Sequence, residues 1–201
     1  VNVATLKSLW HFSRVEFALS ILATLGVVAV GAVQAILVVV VLALLRFVQE
    51  ASRPVVEILG EVPGMAGIHP LRMHDNATTI PGLMLFRFNA PIVFFNAPYF
   101  RREVLAAVGR AGPELNCFVL DMLPVTMIDA TGYYVLRDVE AALFARGITL
   151  AVAGRQTEIE QSAKQRGLDA AEALARIRRF STLRQAVHAY TLEHPAPAAV
   201  D

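Results

Sequence analysis

The sequence predicts two unlike parts, an α-helical membrane hairpin followed by an α/β domain whose central sheet is covered by helices. Three observations carry this. An unbroken apolar run lies near the N-terminus, a proline- and glycine-rich stretch follows it, and strand and helix periods then alternate to near the C-terminus. With 201 residues, 56% of them hydrophobic and 17% charged, the chain is more apolar than an ordinary soluble domain, in which about 25% of residues are charged. Eighteen Lys and Arg against 17 Asp and Glu leave a formal charge of +1, so no basic field recommends a nucleic-acid partner. The single cysteine, Cys117, excludes an intramolecular disulfide and CxxC chemistry.

From Val15 to Leu45 the only charge is Glu16 at the edge, and Gln34 is the only other strongly polar side chain. A signal peptide would carry an apolar region of about 7–15 residues before a cleavage site, and this run is twice that length. As one helix it would measure about 47 Å against a hydrocarbon core of about 30 Å. Gly26 and Gly31 interrupt its middle, and Lys7, Arg14, Arg46 and Arg53 flank both ends. A hairpin of two helices, with both flanks on the cytoplasmic side, satisfies length and charge together. Two helices of about 15 residues reach only about 22 Å each, so the hairpin needs neighbours in the membrane. The chain opens Val1-Asn2-Val3 without a methionine, which carries the expectation of a longer protein upstream.

The expected division is 1–46 for the hairpin, 47–80 for a linker, 81–193 for the α/β domain and 194–201 for a disordered tail. Pro54, Pro63, Pro70 and Pro81 with Gly60, Gly64 and Gly67 underlie the linker. Met84, Phe86 and Phe88 alternate with their neighbours as a strand, and Ile92 to Phe95 reads as a second strand after Asn89-Ala90-Pro91. Phe100, Val104, Ala107, Val108 and Ala111 share a helical face, opened by Pro98 and stopped by Gly112-Pro113. The apolar run from Cys117 to Leu123 is a strand covered on both faces. Leu136, Val139, Leu143 and Phe144 recur at helical spacing up to Arg146-Gly147, and Ile148 to Ala153 is another buried strand, so the succession requires a parallel crossover. Further helices are expected over 157–166 and 182–193, the second opened by Thr182 with Gln185 three residues on, the pattern of a capping box.

The turn Asp129-Ala130-Thr131-Gly132 places an acid, a hydroxyl and a glycine where a strand-to-loop segment enters a helix. A phosphate on Thr131 would sit near unpaired amides and the positive end of the helix dipole. Alternatively Asp129 or Thr131 caps the helix, worth about 1 kcal/mol.

These residues carry a resemblance. Asp129-Ala130-Thr131-Gly132 between two buried strands resembles the Asp-x-Ser/Thr-Gly turn of STAS domains, the sulfate-transporter and anti-sigma-factor antagonist module. Upstream, Ser52-Arg53-Pro54, Leu59-Gly60, Val62-Pro63-Gly64, Pro81-Gly82 and Phe95-Asn96-Ala97 are similar, in order, to the junction and start of that domain in the sulfate permease (SulP) family of anion transporters. Ser13-Arg14 with Glu16-Phe17 resembles the start of the family's penultimate membrane helix, so the likeness runs from about Trp10 to Tyr190.

The resemblance implies a STAS-like fold with a central mixed sheet. It also implies a multi-pass protein of the inner (plasma) membrane, built from inverted helical repeats, with the STAS domain cytoplasmic. This chain would hold the last two membrane helices and that domain, and the half-helices that bind the anion would lie upstream of Val1. No substrate residue, catalytic residue, metal ligand or cofactor is therefore assigned here. Gln34 reads as an interhelical hydrogen bond. Thr131, with Asp129 and Gly132, matches the position phosphorylated in soluble antagonists and is the regulatory candidate. The implied partners are an inorganic anion of the sulfate or bicarbonate class, the lipid bilayer, a cytoplasmic protein on the STAS domain and a second copy of the chain, with no nucleic acid. The expected function is the C-terminal portion of a secondary active inorganic anion transporter, with a membrane-tethered STAS signalling protein as the alternative. His11, His69, His74, His188 and His194 show no metal-ligand spacing, and no GxSxG, Walker or GxGxxG motif gives an enzyme a nucleophile, base or phosphate cradle.

Overall fold

The first element in the computed structural model that is long and apolar enough to cross a membrane is α1, Ala32–Ala51. The structure describes residues 17–18, 21–22, 24–26, 31–154 and 176–195. The expected helix over 157–166 and residues 196–201 of the expected tail lie outside them. The chain divides into two compact units, 1–51 and 52–201.

In the first unit α1 does not stop at Leu45. It continues through Arg46, which pairs with Glu50 at 2.7 Å one turn later, because no breaker occurs before Pro54. At 1.5 Å per residue its 20 residues reach about 30 Å, the thickness of a hydrocarbon core, so the shortfall expected of a 15-residue helix is absent. Only Ala35 of α1 is buried, while Val33, Ile36, Leu37 and Leu45 are each more than half exposed. An apolar surface of that extent requires lipid or protein to cover it. Thr24, Leu25 and Gly26 are also helical, and a Cβ at Gly26 would meet the Ala35 Cβ at 3.1 Å, the small-residue approach of membrane helices. Gln34 lines a cleft with Leu22, Gly26, Ala35, Val38 and Val39. Its side chain makes no hydrogen bond among the described residues.

The second unit begins earlier than expected. The stretch 47–80 is not a linker: α1 ends at Ala51, β1 (Val56–Glu61) and β2 (Ile68–Pro70) follow, and both strands join the sheet. The prolines are tolerated because Pro54 precedes β1 and Pro63 lies in the β1–β2 loop, while Pro70 closes β2 at the sheet edge. Gly60 sits where a Cβ would lie 2.3 Å from the Thr78 carbonyl, so it marks a close backbone crossing.

The remaining elements are β3 (Leu83–Phe88), α2 (Ala97–Ala111), β4 (Cys117–Asp121), α3 (Ala130–Phe144), β5 (Thr149–Ala153), β6 (Arg178–Phe180) and α4 (Leu183–Glu193). The six strands run β2-β1-β3-β4-β5-β6; β1 is antiparallel to both neighbours, and β3 through β6 are parallel. The sheet is thus mixed. β6 carried no periodic signal, being three residues of Arg-Arg-Phe.

Alternate strand residues feed two cores. On one face Met84, Phe86, Phe88, Phe118, Leu120, Leu150 and Val152 meet Phe100 and Val104 of α2 and Leu136, Val139 and Leu143 of α3. On the other, Leu59, Leu83, Leu85, Cys117, Val119, Ala151 and Ala153 meet Ala186, Val187 and Tyr190 of α4. β4 is buried along its whole length, which is why it reads as a continuous apolar run. The Tyr190 hydroxyl donates to the Pro81 carbonyl at 3.1 Å and ties α4 to the base of β3.

Ile92 to Phe95 is not a strand. Ile92 forms a single bridge to Ile128, and the chain then turns because the buried Asn96 accepts from Val93 N and donates to Pro91 O, each at 2.9 Å. At α4, Gln185 N donates to Thr182 Oγ1 at 3.2 Å while Gln185 Oε1 accepts from Ser181 N at 3.1 Å. The reciprocal bond of the box therefore falls one residue outside the cap.

Candidate functional site

The three residues of the Asp-x-Thr-Gly turn come together at the N-terminus of α3, and each has a different role. Asp129 is the cap: Oδ1 accepts from Gly132 N at 2.8 Å and Oδ2 accepts from Phe94 N at 2.8 Å. One carboxylate thus closes the helix end and pins the loop before α2, with its charge at the positive end of the dipole. Gly132 is buried against the same loop, and a Cβ there would lie 2.2 Å from the Ile92 carbonyl oxygen. Ile92 N donates to Met127 O at 3.0 Å and Asp129 N to Ile92 O at 3.2 Å, which fixes that approach. Thr131 is exposed in the first turn, and its side chain makes no hydrogen bond among the described residues.

Capping therefore belongs to Asp129. Asp129→Ala is expected to cost about 1–2 kcal/mol and Thr131→Ala less than about 0.5 kcal/mol. Thermal or chemical unfolding of the two variants checks the order, and equal losses would contradict it.

Thr131 stands beside apolar surface. Phe94 is 68% exposed, and Met127 and Tyr134 are each nearly half exposed. Tyr134 follows Thr131 by three residues and shares its side of the helix. No local period marks this rim, because Phe94 falls within the apolar run Ile92 to Phe95 and Met127 reaches it from the segment before Asp129.

A row of charges that sequence reasoning missed crosses the sheet at the same end. Glu57, Arg87 and Asp121 are register neighbours on β1, β3 and β4. Arg87 Nε donates to Asp121 Oδ2 at 2.7 Å, and Leu123 N donates to Oδ1 at 3.0 Å, with Asp121 only 2% exposed. The Arg72 guanidinium donates twice to Glu57 Oε1, and Asn89 Nδ2 donates to Oε2 at 3.0 Å. The Asn89 hydrogen bond, and then the nearby arginines against the opposing effect of burial, hold Glu57 below the ordinary glutamate pKa. The available signal was an arginine and an aspartate inside strands otherwise wholly apolar. Cys117, in contrast, is buried and its thiol is pushed up to about 11 by desolvation, so it is inert.

The fold and this turn define a STAS domain: the family described as STAS domain matches residues 75–186. That is more than half of the chain, and the chain belongs to the STAS family. Similarity extends beyond the domain to the apolar helix. A probable sulfate transporter of Mycobacterium tuberculosis strain H37Rv is 30% identical over 193 residues, covering 94% of this chain and 34% of the transporter. High affinity sulfate transporter 2 of Stylosanthes hamata is 24% identical, covering 94% of this chain and 30% of its own length. Among solved structures, the murine anion transporter Slc26a9 in its inward-facing state superposes with a TM-score of 0.80 at 18% identity, over 92% of this chain and 30% of that one. The resemblance to the SulP family thus stands on nearly the whole sequence, and the chain spans about a third of the length of the curated relatives it matches.

Proposed function

We propose that this chain is the part of a secondary active inorganic anion transporter that joins the last membrane helices to a regulatory, interaction-mediating STAS domain. The observation that supports this reading is the extent of the match: 94% of the chain aligns with sulfate transporters, so the apolar α1 is shared along with the STAS domain. The anion is of the sulfate or bicarbonate class. A tethered signalling protein would also need an apolar anchor, but not one that aligns with the membrane segment of sulfate transporters.

In this reading residues 15–51 form a hairpin in the plasma membrane with both flanks and the STAS domain cytoplasmic, and a second copy of the chain is the partner in the membrane. Cysteines placed at positions 7 and 53 are expected to share accessibility in intact cells. Native Cys117, buried and with its pKa near 11, leaves the labelling background low. Opposite accessibility of the two flanks would refute the hairpin. Thr131 is the regulatory position, exposed at a helix N-terminus where added charge is locally tolerated.

Transport itself tests the reading. The 201-residue chain alone is expected to give only background uptake of labelled sulfate and bicarbonate in proteoliposomes, because two helices cannot enclose a polar path and Val15 to Leu45 holds no basic residue to meet an anion. Joined to the upstream membrane helices of a SulP relative, it is expected to support saturable uptake. Background flux from that fusion, properly inserted, would favour the tethered regulator.

A further inference from the structure

Beside the Arg87–Asp121 pair lies a cleft of about 390 Å³, bounded by Gly67 of the β1–β2 loop, Ile68 at the start of β2, the ends of β3, β4 and β5, and the start of α4. This volume is in the range of small-molecule sites, about 300–1,000 Å³. Its position, outside the carboxyl ends of parallel strands, is where open α/β sheets receive ligands. We propose that this cleft binds a tetrahedral oxyanion, either free in solution or as the phosphate of a small organic ester, at a site separate from any transport path.

Four features argue for an anion. Arg87 spends only Nε on Asp121; its two terminal nitrogens make no hydrogen bond among the described residues, and its side chain is 23% exposed at the cleft. That leaves a fork of donors, held by a buried carboxylate that is itself fixed by Leu123 N. Such a planar fork suits an oxyanion. Arg184 of α4, exposed and with no side-chain partner among the described residues, also lines the cleft. Of the first amides of α4, Gln185 N is capped by Thr182 Oγ1, which leaves those of Leu183 and Arg184 without an intrahelical acceptor at the positive end of the dipole, where Ser181, Thr182, Leu183 and Arg184 line the cleft. Gly154, at φ 98°, ends β5 so close to Leu123 that a Cβ would stand 3.3 Å from its backbone nitrogen. The wall is thus kept free of a side chain. Asp121 is the one carboxylate lining the cleft, and both of its oxygens are already engaged.

This inference does not rest on the transport reading, and it is tested on the full chain in detergent, where no flux is measured. Equilibrium dialysis with labelled sulfate at constant ionic strength is expected to show one saturable site per chain, displaced by inorganic phosphate. Arg184→Gln is expected to weaken binding at least tenfold without loss of folding, since the Arg184 side chain pairs with no other described residue. Arg87→Lys, which keeps a charge beside Asp121 but loses the fork, is expected to weaken it as well. Arg110→Gln, the same charge change on an exposed α2 residue elsewhere, should leave it unchanged. Tighter binding of glycerol phosphate than of inorganic phosphate would assign the oxyanion to an organic ester, and equal or weaker binding to a free ion. Absence of saturable binding, or equal losses in the Arg184 and Arg110 variants, would overturn the proposal.

Discussion

A fragment beginning at Pro81 is expected to lose the cooperative unfolding that a fragment beginning at Ser52 shows, with both ending at Pro195. The shorter piece contains β3 through α4, yet it lacks the strand that hydrogen-bonds β3 on its outer side, from Val56 opposite Phe88 to Leu59 opposite Leu85. Without β1, the sequence Leu-Met-Leu-Phe-Arg-Phe becomes an exposed edge. A long apolar edge strand is a template for aggregation. Leu59, 1% exposed, also leaves the α4-side core, and removing a buried leucine alone costs about 2–5 kcal/mol. Against a total stability of about 5–15 kcal/mol, loss of the strand and its pairing should leave little folded material. Thermal unfolding followed by near-ultraviolet circular dichroism, with light scattering, distinguishes the two fragments. A sharp transition of equal midpoint in both would show that β1 and β2 are ornamental to the domain. The STAS match begins at residue 75, so homology would place the boundary where the sheet is already cut.

Gly132→Ala is expected to lower stability by about 3 kcal/mol, at the upper end of ordinary overpacking. For a chain of this length that corresponds to a fall of about 6–12 °C in melting temperature. Helix propensity argues the other way, since alanine inside a helix is favoured over glycine by about 1 kcal/mol, and Gly132 has no positive φ to object to a side chain. Packing decides. The added carbon would stand 2.2 Å from the Ile92 carbonyl oxygen, 2.9 Å from its carbonyl carbon and 3.1 Å from Ile128 Cγ2. The backbone cannot retreat without breaking the Ile92–Met127 and Asp129–Ile92 hydrogen bonds. A neutral or stabilising substitution would mean that the loop before α2 yields freely, and the Asp129 clasp on Phe94 would lose its structural meaning. Thermal unfolding of the full chain in detergent reads the sign directly.

The sequence by itself determined the features that depend on local order and on the identity of neighbours along the chain. The apolar run from Val15 to Leu45, the unbroken strand at Cys117, the helical stripe from Phe100 to Ala111 and the Asp-Ala-Thr-Gly turn are legible because period and composition encode burial without reference to distant residues. Only the tertiary structure decided what depends on contacts between remote segments. The proline-rich stretch before Pro81 became strands because β3 offers β1 a free edge to pair with. Ile92 to Phe95 became a turn because the Asn96 side chain holds Val93 and Pro91. The cap fell to Asp129 because its second oxygen finds Phe94, 35 residues away. The charges at Glu57, Arg87 and Asp121 form one row for the same reason: strand register joins residues that no local period relates.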